Sequence, residues 1–142
     1  MVFDPSLDVA VLRVARAPAP ALTLLDRRAE RGTTAAVLGY PEGGPFAAEP
    51  AVILDHYDAV GRDIYSGKVI PRSVYELRAQ VLPGNSGGPL VRPDGTVVGV
   101  LFSRAVLQDG IGYALASDEV AKRVDAARRR PGISIQTGPC VA

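Results

Sequence analysis

The sequence predicts a single all-β domain, an antiparallel barrel or sandwich closed by one C-terminal helix. From Leu22 to Leu115, short runs rich in Val, Ile and Leu are separated by Gly, Pro and Asp at the spacing of consecutive antiparallel strands. After Leu115 the apolar residues recur at helical spacing instead. Strand and helix patterns do not alternate, which argues against a parallel α/β sheet.

The elements follow in order. A short extended run, Asp8–Val14, leads into Ala15–Pro20, whose prolines make it a semi-rigid linker. Six strands fall near Leu22–Leu25, Ala35–Gly39, Ala51–Tyr57, Val74–Val81, Val97–Phe102 and Gly112–Leu115. The segments Tyr40–Pro45 and Arg92–Gly95 combine the fixed φ of proline with residues that accept positive φ, so they are turns. Ser117-Asp118-Glu119 can cap a helix start. Val120, Val124 and Ala127 then mark one face up to the stop at Pro131-Gly132. Arg128–Arg130 read as cations favoured by the dipole at the end of that helix.

Composition narrows the function classes. Hydrophobic residues at 47% and charged ones at 22% are the proportions of a globular core with a solvated surface. Sixteen basic against fifteen acidic residues leave a formal charge of +1, so no nucleic acid or anionic membrane is called for as a partner. No stretch approaches the roughly 20 apolar residues of a spanning helix, and the first residues lack the pattern of a signal peptide. No metal site and no cofactor is expected. The lone cysteine, Cys140, has no partner for an internal disulfide.

Chemistry concentrates at Pro83-Gly-Asn-Ser-Gly-Gly-Pro-Leu90, a glycine-rich turn between two predicted strands. Such a turn can hold the Ser86 hydroxyl clear of the backbone while the amides of Gly84 and Ser86 converge where a tetrahedral oxyanion would form. The segment also satisfies Gly-x-Ser-x-Gly, the nucleophile elbow of α/β-hydrolases. That motif needs a helix directly after the serine and a later histidine, whereas Pro89 leads into a strand and no histidine follows Ser86.

Gly84–Leu90 resembles the nucleophile motif of chymotrypsin-fold serine proteases, and Asp8-Val-Ala-Val-Leu12 is similar to the segment that supplies their triad aspartate. Ile111–Ser117 resembles the pocket strand of the bacterial HtrA-like branch. Phe3–Asp8, Val37–Pro41, Asp63–Tyr65 and Thr137–Cys140 resemble the actinobacterial acid-resistance membrane proteases within it. The resemblance implies the second, six-stranded antiparallel barrel of a two-barrel protease. Residues 1–20 would carry the triad aspartate and linker, 21–116 the barrel, and 117–142 the helix and tail. It implies Ser86 as nucleophile, Asp8 as the residue that orients the catalytic imidazolium, and the Gly84 and Ser86 amides as oxyanion hole. Phe102, Ser103 and Arg104 would pair with extended substrate, a peptide or protein, and Gln80 would lie on the floor of the specificity pocket. Asn85 stands where many relatives have Asp, so activation by an ion pair to a new N-terminus is not expected. An extracytoplasmic location is implied, with the membrane anchor outside this chain.

In the resembled fold the general base lies in a first barrel upstream of the aspartate, and only seven residues precede Asp8. Asp8, His56, Ser86 does reproduce the triad order of subtilisins, but their alternating helices and parallel strands are not predicted here. His56 is instead expected as a partly exposed strand residue. The chain therefore reads as a half that lacks its first barrel, supplied in cis or in trans, and is inactive alone. Cys140 resembles a family cysteine that pairs with one in the absent part. The competing readings are a peptide-binding pseudoprotease and a half-domain that assembles with a separate first barrel.

Overall fold

The computed structural model describes residues 1–129 and 135–138. Its centre is a ring of six antiparallel strands. In chain order they are β4 (Thr34–Gly39), β5 (Ala47–Arg62), β6 (Val69–Arg78), β7 (Pro89–Val91), β8 (Thr96–Arg104) and β9 (Ile111–Ala116). The pairing runs β8-β7-β4-β5-β6-β9, and a β8–β9 ladder from Gly99↔Ala116 to Arg104↔Gly112 closes the ring into a barrel. Closure leaves no full-length strand edge to template aggregation.

The expected six-stranded barrel is present, with one strand exchanged. The first predicted strand survives only as β3 (Thr23–Leu24), which lies parallel to β8 outside the ring. Its place is taken by β7, whose three residues are too short for a periodicity to register and sit inside the glycine-rich turn signal. Two further strands precede the barrel, β1 (Val2–Asp4) and β2 (Val9–Val11), paired as an antiparallel hairpin. The run predicted as extended over Asp8–Val14 contributes only β2, and residues 12–22 form no strand.

Alternation along the strands builds the interior. Val37, Ile53, Tyr75, Leu77, Leu90, Val98 and Leu101 are fully buried and face one another across the ring. The strand β5 extends past the predicted Ala51–Tyr57 at both ends, whereas β6 begins five residues before the predicted Val74 and ends at Arg78, short of Val81. A bulge at Ile53/Asp55 bends β5, and pairing then continues to Arg62↔Val69 with Tyr57, Val60 and Val69 exposed. This outer half is held by its backbone ladder and not by core burial, so its sequence carries no strong hydrophobic signal.

Helix α1 (Ser117–Arg129) packs against β1, β2, β8 and β9. Of the residues expected to cap its start, Ser117 is completely buried and its hydroxyl has no hydrogen-bond partner among the described residues, so it makes no cap bond. Asp118 and Glu119 favour the helix start through the dipole, and Arg128 and Arg129 its end.

The hairpin β1–β2 is tied to the helix through Asp4. Its Oδ1 accepts from the amides of Ser6 and Leu7, at 3.0 and 3.2 Å, and its Oδ2 from Arg123 Nε at 2.8 Å. Burial alone would raise the Asp4 pKa, but Arg123 and the two amides outweigh it and hold the carboxyl below its ordinary 3.8. A depressed folded pKa adds stability that is complete above the unfolded value and is lost as pH falls through the folded one. Thermal melts of wild type and Asp4→Asn should therefore differ by a constant amount from pH 7 to about 5 and converge below about pH 4. A gap that persists unchanged at pH 2.5 would show that the charge is not what Asp4 contributes.

Candidate active site

The turn that carries Ser86 sits at the start of β7, between β8 on one side and the end of β4 on the other. Two successive turns shape it, Asn85 N–H to Leu82 O at 3.1 Å and Gly88 N–H to Asn85 O at 2.9 Å. It is stapled to β8 by Gly87 N–H to Leu101 O at 2.7 Å and Leu101 N–H to Gly88 O at 2.9 Å. On the β4 side the 3-10 turn Pro41–Gly43 braces it, with Glu42 N–H donating to Pro83 O at 2.6 Å.

Glycine is required where these walls meet. Gly84 has φ +92°, and a Cβ there would lie 2.6 Å from Tyr40 O. At Gly88 a Cβ would lie 2.5 Å from Leu38 O. Within this frame the side chains alternate. Asn85 is 1% exposed and packs over Gly39, with its Nδ2 unpartnered among the described residues, while Ser86 is exposed. The amides of Asn85, Gly87 and Gly88 are all spent inside the frame. Those of Gly84 and Ser86 donate to no backbone acceptor among the described residues. Such uncommitted N–H groups beside an exposed hydroxyl can receive a developing negative charge without first breaking a bond.

The residues expected on the substrate side divide. Gln80 and Arg104 line one cleft of about 410 Å³ together with Val81, Leu82 and Gln108. Gly112 keeps the neighbouring β9 backbone close to Val81, since a Cβ there would lie 2.5 Å from Val81 Cγ2. Phe102 and Ser103 do not line that cleft; they belong to the rim of β8. The pairing of β8 with β7 ends at Pro89↔Val100, whereas its other side stays paired with β9 through Ser103↔Tyr113 and Arg104↔Gly112. Phe102–Arg104 thus offers one open backbone edge next to Ser86.

Asp8 is the exposed residue of the turn between β1 and β2, with φ 59°. No described hydrogen bond or ion pair joins it to Ser86. His56 is engaged elsewhere: its Nε2 is 2.7 Å from Ser73 Oγ, and its ring leans on Tyr75 with centroids 5.6 Å apart. Strand pairing of β5 with β6 thus commits His56 to Ser73, and the Asp8, His56, Ser86 order does not correspond to a triad in space. Cys140 lies outside the described residues. Among those residues no group of three or more His, Cys, Asp or Glu could hold a metal, and no helix is long and apolar enough to cross a membrane.

Sequence reasoning did not single out Asp4, Arg72 and Arg123, which hold the turn bearing Asp8. Arg72 Nε donates to Ser6 O at 2.8 Å. An isolated arginine on a strand carries no local signal of a partner 66 residues away.

Comparison with known proteins agrees with this geometry. The chain is 40% identical over 141 residues to the serine protease Rv3671c of Mycobacterium tuberculosis, covering 99% of this chain and 35% of that protein. The crystal structure of the active form of the Rv3671c protease superposes with a TM-score of 0.87 at 40% identity, covering 99% of this chain and 62% of the other. A probable periplasmic serine endoprotease, DegP-like, from Halomonas elongata is 32% identical over 139 residues, covering 92% of this chain and 27% of its own length. The chain thus spans about a third of the curated relatives it matches. The model of the trypsin-like peptidase domain matches residues 1–100. Together with the barrel and the serine turn, these matches place the chain in the trypsin-like peptidase family, whose members here are serine-type hydrolases.

Proposed function

We propose that Ser86 is the nucleophile of a serine endopeptidase that cleaves extended polypeptide through an acyl-enzyme. The observation that carries this reading is the pair of uncommitted amides, Gly84 and Ser86, at an exposed serine hydroxyl. In the reaction Ser86 Oγ attacks the scissile carbonyl carbon and passes its proton to an imidazole, and the two amides hold the oxyanion. The imidazolium then protonates the leaving amine, and water releases the acyl group by the same steps. Substrate backbone adds to the open edge at Phe102–Arg104, and the side chain before the cut enters the cleft of Gln80 and Arg104.

The imidazole belongs to a first barrel outside these 142 residues, in the same polypeptide or a separate one, since His56 is held by Ser73. Asp8 is the residue that orients it. The reading includes an extracytoplasmic site of action, in line with the periplasmic relative from Halomonas elongata, and a disulfide from Cys140 to that other barrel.

A fluorophosphonate probe tests the proposal. The 142-residue chain alone should label no faster than its Ser86→Ala variant. Joined or mixed with a histidine-bearing first barrel it should label rapidly, and Ser86→Ala should abolish that labelling. Labelling that survives Ser86→Ala would refute the assignment. Peptide binding without labelling in the assembled form would favour the second reading, a peptide-binding module, which rests on the same open β8 edge.

A further inference from the structure

We propose that Arg72 is a positioning residue for Asp8, holding the turn that presents its carboxylate; the inference rests on the triad role given to Asp8 above. Among the described residues Asp8 has no ion pair of its own, and its side chain is exposed. Nothing described fixes that side chain directly, so the backbone of the turn sets the positions its carboxylate can reach. That backbone is in the left-handed region at Asp8, φ 59°, a conformation uncommon for non-glycine residues although aspartate tolerates it better than most, so what keeps the turn in one arrangement is its surroundings.

The surroundings do so from three sides. The amides of Ser6 and Leu7 donate to Asp4 Oδ1, and Asp4 Oδ2 is fastened to α1 by Arg123 at 2.8 Å. Pro5 O accepts from Ile64 N–H at 3.1 Å, at the tip of the β5–β6 hairpin. Ser6 O, two residues before Asp8, accepts from Arg72 Nε at 2.8 Å, while Nη2 of the same guanidinium donates to Arg62 O at 2.8 Å. Arg72 is thus a rigid fork between the turn and the hairpin. A lysine could bond one of the two carbonyls at a time but could not fix the distance between them. This also gives the projecting half of β5 and β6 a purpose that its exposed Val60 and Val69 do not supply.

The test is a double-mutant cycle in the complete, catalytically active protease. Misplacing a catalytic group by about 1 Å costs on the order of 100-fold in rate. Arg72→Ala should therefore lower kcat by roughly 10- to 100-fold with KM within about twofold, and Arg72→Lys should recover part of the loss. In an Asp8→Asn background, Arg72→Ala should cost nothing further, because the residue it positions is already disabled. Amide exchange at Ser6 and Leu7 should accelerate in Arg72→Ala and remain slow at Leu101 in the barrel, which shows that the fold is intact. If Arg72→Ala prevents folding, the cycle is read with Arg72→Lys alone. An equal loss of kcat in the Asp8→Asn background, or faster exchange at Ser6 and Leu7 with unchanged kcat, would overturn the inference. An Asp8→Asn single variant with full kcat would instead overturn the triad role of Asp8 itself.

Discussion

Replacing Gly84 by alanine is expected to cost the domain about 3 kcal/mol or more and to slow probe labelling of Ser86 in the assembled protease by at least about 100-fold. Two separate penalties add. A side chain at φ +92° is strained by roughly 1–3 kcal/mol wherever it sits. The new methyl would also lie 2.6 Å from Tyr40 O and 3.1 Å from Glu42 N, so the 2.6 Å bond from Glu42 to Pro83 must give way. The turn can relieve the clash only by moving residue 84, whose amide is one of the two proposed oxyanion donors. Gly87→Ala is the control. Its φ is +81°, but nothing lies within 4 Å of the added carbon, so only the conformational cost of about 1 kcal/mol remains. Urea melts and labelling rates of the two variants, measured side by side, decide the matter. Equal effects at the two positions would show that the contact with Tyr40 is not what demands glycine.

Truncation of Tyr75 should be more damaging to the fold. Its side chain is fully buried at the centre of the barrel, on the strand that pairs with β5 on one side and β9 on the other. The hydroxyl accepts the Ala29 amide at 2.7 Å, which ties the stretch before β4 to the core. Burial raises the phenol pKa above its usual 10.0, so the group is neutral throughout the ordinary pH range. Tyr75→Ala removes the ring, a loss of about 3–5 kcal/mol, and also leaves the Ala29 amide without its acceptor. That is a large part of the 5–15 kcal/mol that typically stabilises a domain. Tyr75→Phe isolates the second effect and should cost roughly 1–2 kcal/mol. Denaturant titrations of both would check this; a Tyr75→Phe variant as stable as wild type would remove the Ala29 bond from the account.

The residues legible in the sequence were those whose role is written within a few neighbours. Gly84-Asn-Ser-Gly-Gly-Pro-Leu90 announced a tight serine-bearing turn because its glycines admit the positive φ that Gly84 and Gly87 adopt, while the nucleophile role came from the resemblance of the motif and not from local geometry. The buried halves of the strands were equally plain, since Val37, Ile53, Leu77 and Leu101 alternate with less buried positions. The outer half of the β5–β6 hairpin was not, because its large apolar residues Tyr57, Val60 and Val69 are exposed and mark no buried face.

By itself, then, the sequence determined the all-β class, the terminal helix and the serine turn. Each depends on periodicity or on backbone permissiveness that a short window contains. Only the tertiary structure decided partners. It closed the ring through β7 in place of the predicted first strand, buried Ser117 without a cap bond, and bound His56 to Ser73, which removed the apparent Asp8, His56, Ser86 order. It also set Arg72 against Ser6 across 66 residues. These outcomes follow from sheet register and side-chain reach between distant segments, and no local pattern of residues encodes them.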